Sequence, residues 1–143
     1  RLPDLGPLGT REVAERAVRD FELKTGARVS LTVSGDAGEA ALPVKIALYR
    51  LLQESLANGF RHGGGIDLRV ALTHDAPFLN VRISDGGQGF DPGVRTADGH
   101  LGIAGMRERV EALGGVFELD AAAGRGTRIM ARMPLQVLGA GDD

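Results

Sequence analysis

Two hydrophobic periods divide this chain, and the switch between them limits what it can fold into. From Pro43 onward apolar positions recur every three or four residues. Leu48, Leu52, Ser55, Leu56 and Gly59 share one side of a helix expected to run to about Phe60. After Gly63-Gly64-Gly65 the period falls to two. Ile66, Leu68, Val70 and Leu72 alternate with polar or small neighbours, and Leu79, Val81 and Ile83 continue beyond the turn His74-Asp75-Ala76-Pro77, which predicts a hairpin. The same alternation marks Val29, Leu31 and Val33 near the start, then Phe117 with Leu119, and finally Ile129, Ala131 and Met133. Two more helices are expected. One is capped by Thr10, presents Val13, Ala14, Ala17, Val18 and Phe21, and stops at Gly26; the other opens at Gly102, buries Ile103, Met106, Val110 and Leu113, and stops at Gly114-Gly115. About five strands and three helices, with the helices on one face of a mixed sheet, make a two-layer α+β sandwich.

A chain of 143 residues is one domain by length, and 43% hydrophobic residues suffice for one core. The expected division is a linker over 1–9, a folded domain over 10–136 and a tail over 137–143. A net charge of −2 argues against a nucleic-acid binder. Without cysteine there is no disulfide, zinc–thiolate or thiol-nucleophile chemistry. That composition suits a cytoplasmic setting. No apolar run reaches membrane-spanning length. The chain opens on Arg1, so a longer parent is expected, and a membrane anchor elsewhere in it stays open.

The central helix carries a second stripe. Glu54, Asn58, Arg61 and His62 fall at i, i+4, i+7 and i+8 beside the apolar face. By itself a solvated face is favoured over a metal–phosphate site, although a carboxylate and an amide offer hard oxygens and an arginine pairs with phosphate. Ile83-Ser84-Asp85-Gly86-Gly87-Gln88-Gly89-Phe90 ends a strand in Asp-x-Gly-x-Gly. Asp85 has the parity of Leu79, Val81 and Ile83 and so points to the helix-covered face, where a carboxylate needs donors. Gly87 and Gly89 lack a Cβ, so a planar ring can approach the backbone there. The run Asp91–His100 is poor in apolar residues and reads as a mobile loop. Gly102-Ile103-Ala104-Gly105 then opens a helix whose free amides suit phosphates. For Met106 core packing is favoured over ligand contact, Arg107 and Arg109 read as solvated, and Thr127 is either a ligand-side hydroxyl or an ordinary strand start.

In this order and at these distances, the four stretches around Asn58, Asp85, Gly102 and Gly124-Arg125-Gly126-Thr127 resemble the ATP-binding domain of sensor histidine kinases. That domain belongs to the superfamily that includes gyrase, the Hsp90 chaperones and the mismatch-repair ATPases, with its Bergerat-type fold. Gln53-Glu54 and Gly105-Met106-Arg107-Glu108-Arg109 look most like the nitrate-sensor and lipid-fluidity-sensor branch. The resemblance implies ATP and Mg²⁺ as ligands. Asp85 then reads adenine over Gly87 and Gly89, Asn58 holds Mg²⁺, and Glu54 orients a metal-bound water or moves a proton, with a second claim on the metal. Arg61 stands near the phosphates and His62 packs on the nucleotide. Gly102 and Gly105 let lid amides close, and Met106 and Thr127 complete the cofactor-binding set. The implied reaction is transfer of the γ-phosphoryl group to a histidine on a separate helical dimerisation domain, with a response regulator downstream. The chain's own His62, His74 and His100 do not match that acceptor, so it is expected to bind ATP without phosphorylating itself. Gly86, Gly59 and Gly63 depart from the family's usual asparagine and alanines. A serine kinase that regulates sigma factors and a non-catalytic nucleotide-controlled module are the alternatives.

Overall fold

The computed structural model describes residues 1–35, 39–89 and 102–137. Its elements follow in the order α1 (Thr10–Thr25), β1 (Val29–Ser34), α2 (Leu42–Gly63), β2 (Leu68–Asp75), β3 (Phe78–Asp85), α3 (Ile103–Ala112), β4 (Val116–Ala121) and β5 (Thr127–Pro134). The five strands form one sheet in the order β1-β2-β3-β5-β4. β1 and β2 run parallel, joined by the α2 crossover, and every other pair is antiparallel. This is the expected α+β sandwich of three helices on a mixed five-stranded sheet.

The sheet is one-sided because its sequence has period two. Leu68, Val70, Leu72, Leu79, Val81, Ile83, Ile129, Ala131 and Met133 are all buried. Their neighbours Arg69, Arg82, Arg128 and Arg132 are exposed. α2 lies against the inner face and buries Leu48, Leu51, Leu52 and Leu56 completely or nearly so. α1 packs beside it through Val13, Ala14, Ala17 and Phe21, and the edge of the Phe21 ring meets Phe60 at 6.1 Å between centroids. Tyr49 of α2 donates to Asp20 of α1 at 2.6 Å.

Several boundaries differ from the sequence reading. Gly9, not Thr10, is the N-cap of α1, and its amide donates to Glu12 at 2.8 Å. Thr10 is inside the helix and buried, with its hydroxyl 2.5 Å from His74 Nε2. α2 continues to Gly63, because Gly59 and Gly63 sit under the sheet, where a side chain would collide. Ile66 precedes β2 and is exposed, since the pairing with β1 and β3 starts only at Leu68 and Arg69. The Arg1–Gly9 stretch is more than a connector: Leu5 is buried in the core and Lys45 donates from Nζ to the Gly6 carbonyl at 3.0 Å. Beyond β5, Leu135 is buried and its amide reaches Pro77 at 2.8 Å, tying the chain to the β2–β3 turn. The loop expected over Asp91–His100, with His100 itself, and the tail from Leu138 lie outside the described residues.

Candidate functional site: the α2–β3–α3 cleft

α2 delivers four polar residues because their spacing puts them on one flank of the helix. The structure divides them. Asn58 and His62 line one small cavity together with Gly63, Gly89, Ile103, Thr127 and Ile129. Its volume is about 20 Å³. His62 Nε2 is buried with no hydrogen-bond partner among the described residues. An orphaned buried nitrogen of this kind costs about 1–3 kcal/mol, so a ligand that supplies a partner is favoured there. Arg61 lies elsewhere. It is exposed and lines a separate groove of about 430 Å³ between α1 and α2 with Phe21, Lys24, Tyr49 and Phe60. It keeps one link to the site, donating from Nη2 to Asn58 Oδ1 at 3.4 Å.

Glu54, one turn before Asn58, faces α3. Its Oε1 accepts from Arg109 at 2.7 Å, and each side chain is about one-third exposed, at 35% and 36%. Its Oε2 lies 3.0 Å from where a Cβ on Gly102 would stand. Gly102 is the N-cap of α3 with φ +73°, a left-handed conformation that a side chain would strain. The sequence singled out Glu54 and left Arg109 as a nearby side chain that solvation would explain. Their separation of 55 positions hides the pair. Arg107, its neighbour in the motif, is committed elsewhere, bonding the Phe117 carbonyl at 2.9 Å and covering the Phe117 ring.

Asp85 ends β3 directly opposite Thr127 of β5. Its carboxylate lies against α2, with Oδ1 2.9 Å from the Cβ position of Gly63 and Oδ2 3.4 Å from that of Gly59. These two glycines make the notch in which the carboxylate sits. Burial pushes the Asp85 carboxyl above its ordinary range, and the Gly87 amide, donating at 2.9 Å, holds it partly back. Gly87 is its single protein donor among the described residues. Gly87 itself is needed for a different reason from the one expected. A Cβ there would stand 2.1 Å from the Gly63 carbonyl oxygen, so the missing side chain admits the end of α2. Gly89 likewise faces the backbone of Ala122 and Gly126.

Two members of the expected set stand apart. Met106 is fully buried and its sulfur accepts from the Ser55 hydroxyl at 3.4 Å, so it belongs to the α2–α3 contact. Gly105 is exposed on the first turn of α3 with open space around it. His74 is buried between Thr10 and Ser34. Its Nδ1 faces the Ser34 carbonyl at 3.3 Å and its Nε2 faces the Thr10 hydroxyl, a set met by the neutral ring protonated at Nδ1.

The described residues contain no group of three or more histidine, aspartate or glutamate side chains able to hold a metal ion alone. Among them no helix is long and apolar enough to cross a membrane.

The chain has relatives among known proteins. The chain is 33% identical over 134 residues to the signal transduction histidine-protein kinase/phosphatase DegS of Brevibacillus brevis, covering 94% of this chain and 34% of that protein. It is 30% identical over 137 residues to the sensor protein VraS of Staphylococcus haemolyticus, covering 94% of this chain and 39% of that one. It thus spans a little over a third of the relatives it matches. Among solved structures, the histidine kinase domain of a blue-light activated histidine kinase from Erythrobacter litoralis superposes with a TM-score of 0.70 at 21% identity, covering 89% of this chain and 61% of that one. The catalytic domain of histidine kinase ThkA gives 0.70 at 12% identity, covering 90% and 94%. At these identities the structures establish the fold. Residues 44–137, well over half the chain and including every element of the cleft, match the family model described as histidine kinase-, DNA gyrase B- and HSP90-like ATPase, and the chain belongs to that family of ATP-using domains.

Proposed function

We propose that this chain is the catalytic domain of a two-component sensor histidine kinase, binding Mg-ATP in the α2–β3–α3 cleft. It would pass the γ-phosphoryl group to a histidine on a helical dimerisation domain of a longer protein. The observation that carries the reading is the seating of Asp85: a half-buried carboxylate with a raised pKa and one protein donor, in a glycine notch beside the Asn58–His62 cavity. A carboxylate in that state gains from a further N–H donor, which the exocyclic amine of adenine supplies.

The orphaned His62 nitrogen and the Asn58 amide make the cavity a fit for a polar ligand. Mg²⁺ is commonly held by few protein oxygens, with substrate phosphates and waters completing its shell. Asn58 and Glu54 are the residues that would hold the ion. When bound, it neutralises charge on the phosphate oxygens. The chain's own residues position and polarise. Asp85 orients the base, His62 takes a hydrogen bond, Thr127 lines the floor, and the free first-turn amides of α3 face the phosphates. A volume of about 20 Å³ admits one water and no base. A nucleotide seated there would need the cavity to widen past its lining residues, Ile103 among them.

His74 has both ring nitrogens engaged inside the fold and does not serve as phosphoacceptor. The partners are then ATP, the helical domain and a downstream response regulator, with the work done on the cytoplasmic side. Isothermal titration with ATP, with and without Mg²⁺, tests the reading. Saturable, Mg²⁺-enhanced binding is expected, with no stable phosphohistidine on the isolated chain. Absence of heat at millimolar ATP overturns it.

A further inference from the structure

We propose that Arg109 is a positioning residue for Glu54 and, through it, for the N-terminal turn of α3; this rests on the function proposed above. The first turn of α3 has no acidic residue, and its N-cap is a glycine with no side chain to cap it. The amides there and the positive end of the helix dipole lack a counter-charge from α3 itself. Glu54 brings one from α2, its Oε2 lying against Gly102 at the start of α3. Its other oxygen is held from the same helix, about two turns further on, by Arg109 at 2.7 Å. Glu54 is thus held at one oxygen by Arg109 and has the other lying against the start of α3. The ion pair restrains a carboxylate that stands one helical turn before Asn58.

The pair does more than fasten two helices, because the α2–α3 contact is already made by buried Met106 against Ser55. What Arg109 adds is an orientation for Glu54, the carboxylate that the proposed function places near the phosphates. A group that orients a catalytic side chain acts on the chemical step more than on ground-state affinity.

The test is steady-state phosphotransfer by the full-length protein carrying Arg109→Met, Arg109→Lys, Glu54→Gln, and Glu54→Gln with Arg109→Met. The expected result for Arg109→Met is a kcat about 10- to 100-fold lower, the range typical of losing an outer partner of a functional group, with KM for ATP within about twofold. Arg109→Lys keeps the charge and is expected to recover most of kcat. In the double variant, Arg109→Met adds nothing to the loss caused by Glu54→Gln. The role is overturned if Arg109→Met keeps full kcat, if its loss multiplies with that of Glu54→Gln, or if the loss lies in KM alone. Melting curves of each variant show whether a loss is unfolding. Should Arg109→Met prove unfolded, the Lys variant decides: kcat as low as in Glu54→Gln despite a normal melt overturns the proposal, and near-normal kcat supports it. A wild-type protein that binds no Mg-ATP overturns the proposed function and this role with it, whereas normal transfer with an indifferent Arg109→Met overturns the positioning role alone.

Discussion

Asp85→Asn separates the cost of the Asp85 charge from its use. In the folded chain burial raises the Asp85 carboxyl above its unfolded value. For a carboxyl raised in this way, stability is fully present below the unfolded pKa and is lost as pH rises through the folded one. At neutral pH the ionised group is therefore a net destabiliser of the empty domain. Asparagine keeps an oxygen to accept from Gly87, so the 2.9 Å bond survives while the charge goes. Because Asp85 is only half-buried, the gain belongs at the low end for such substitutions, about 0.5–1 kcal/mol. In a domain of this size that raises Tm by about 2–4 °C. Binding moves the other way. A hydrogen bond to a charged acceptor contributes about 1.5–3 kcal/mol, so ATP affinity falls about 10- to 150-fold. The assay is a melting scan of both proteins from pH 4 to pH 8, paired with ATP titration. The stability gap should shrink as pH falls and the wild-type carboxyl protonates. A variant that melts below the wild type at pH 7, or that binds ATP within twofold of it, refutes the reasoning.

Asn58→Ala should leave Mg²⁺-free ATP binding nearly intact while removing about 10- to 100-fold of Mg²⁺ enhancement, as read by titration with and without the ion. Gly87→Ala drives a Cβ to 2.1 Å from the Gly63 carbonyl oxygen. The empty domain should lose about 1–3 kcal/mol, the usual penalty for overpacking, visible as a lower Tm without any nucleotide. In Tyr49→Phe the 2.6 Å bond to Asp20 disappears, costing about 1–2 kcal/mol by chemical denaturation. The Tyr49 phenol is pushed up to about 12, first by burial and then by Asp20, from an unfolded value of 10.0. Its contribution is complete below pH 10 and lost as pH rises toward 12, so the gap between wild type and Tyr49→Phe should close across that window.

The architecture was legible because burial writes itself into period. β2, β3 and β5 each bury alternate residues, and the same parity located Asp85 on the helix side before any coordinate was known. Ile66 shows the limit of that signal: it keeps the parity but lies outside the pairing, which depends on partners and not on local pattern. The glycines at the end of α2 show a related effect. Glycine lowers helix propensity, yet Gly59 and Gly63 are held helical by the strand packed over them. Leu5 lies in a stretch whose prolines and glycines read as a connector, which hid its burial.

At the site, residue types were readable but their neighbours were not. Asn58, His62 and Thr127 converge on one cavity, whereas Arg61 turns toward α1 and Met106 enters the core. The glycines of Asp-x-Gly-x-Gly were rightly singled out for close approach, but what approaches Gly87 is the end of α2. Arg109 belongs to a motif that the sequence displayed, and its partner Glu54 belongs to another. Only the fold shows that they meet.

The most direct test of the central claim is a crystal structure of the chain with Mg²⁺ and a non-hydrolysable ATP analogue. The account predicts the adenine amine within hydrogen-bond distance of Asp85 and the metal on the Asn58 side-chain oxygen, with Ile103 displaced from the cavity. A nucleotide ordered elsewhere on the chain, with Asp85 contacted only by Gly87 as before, would contradict it.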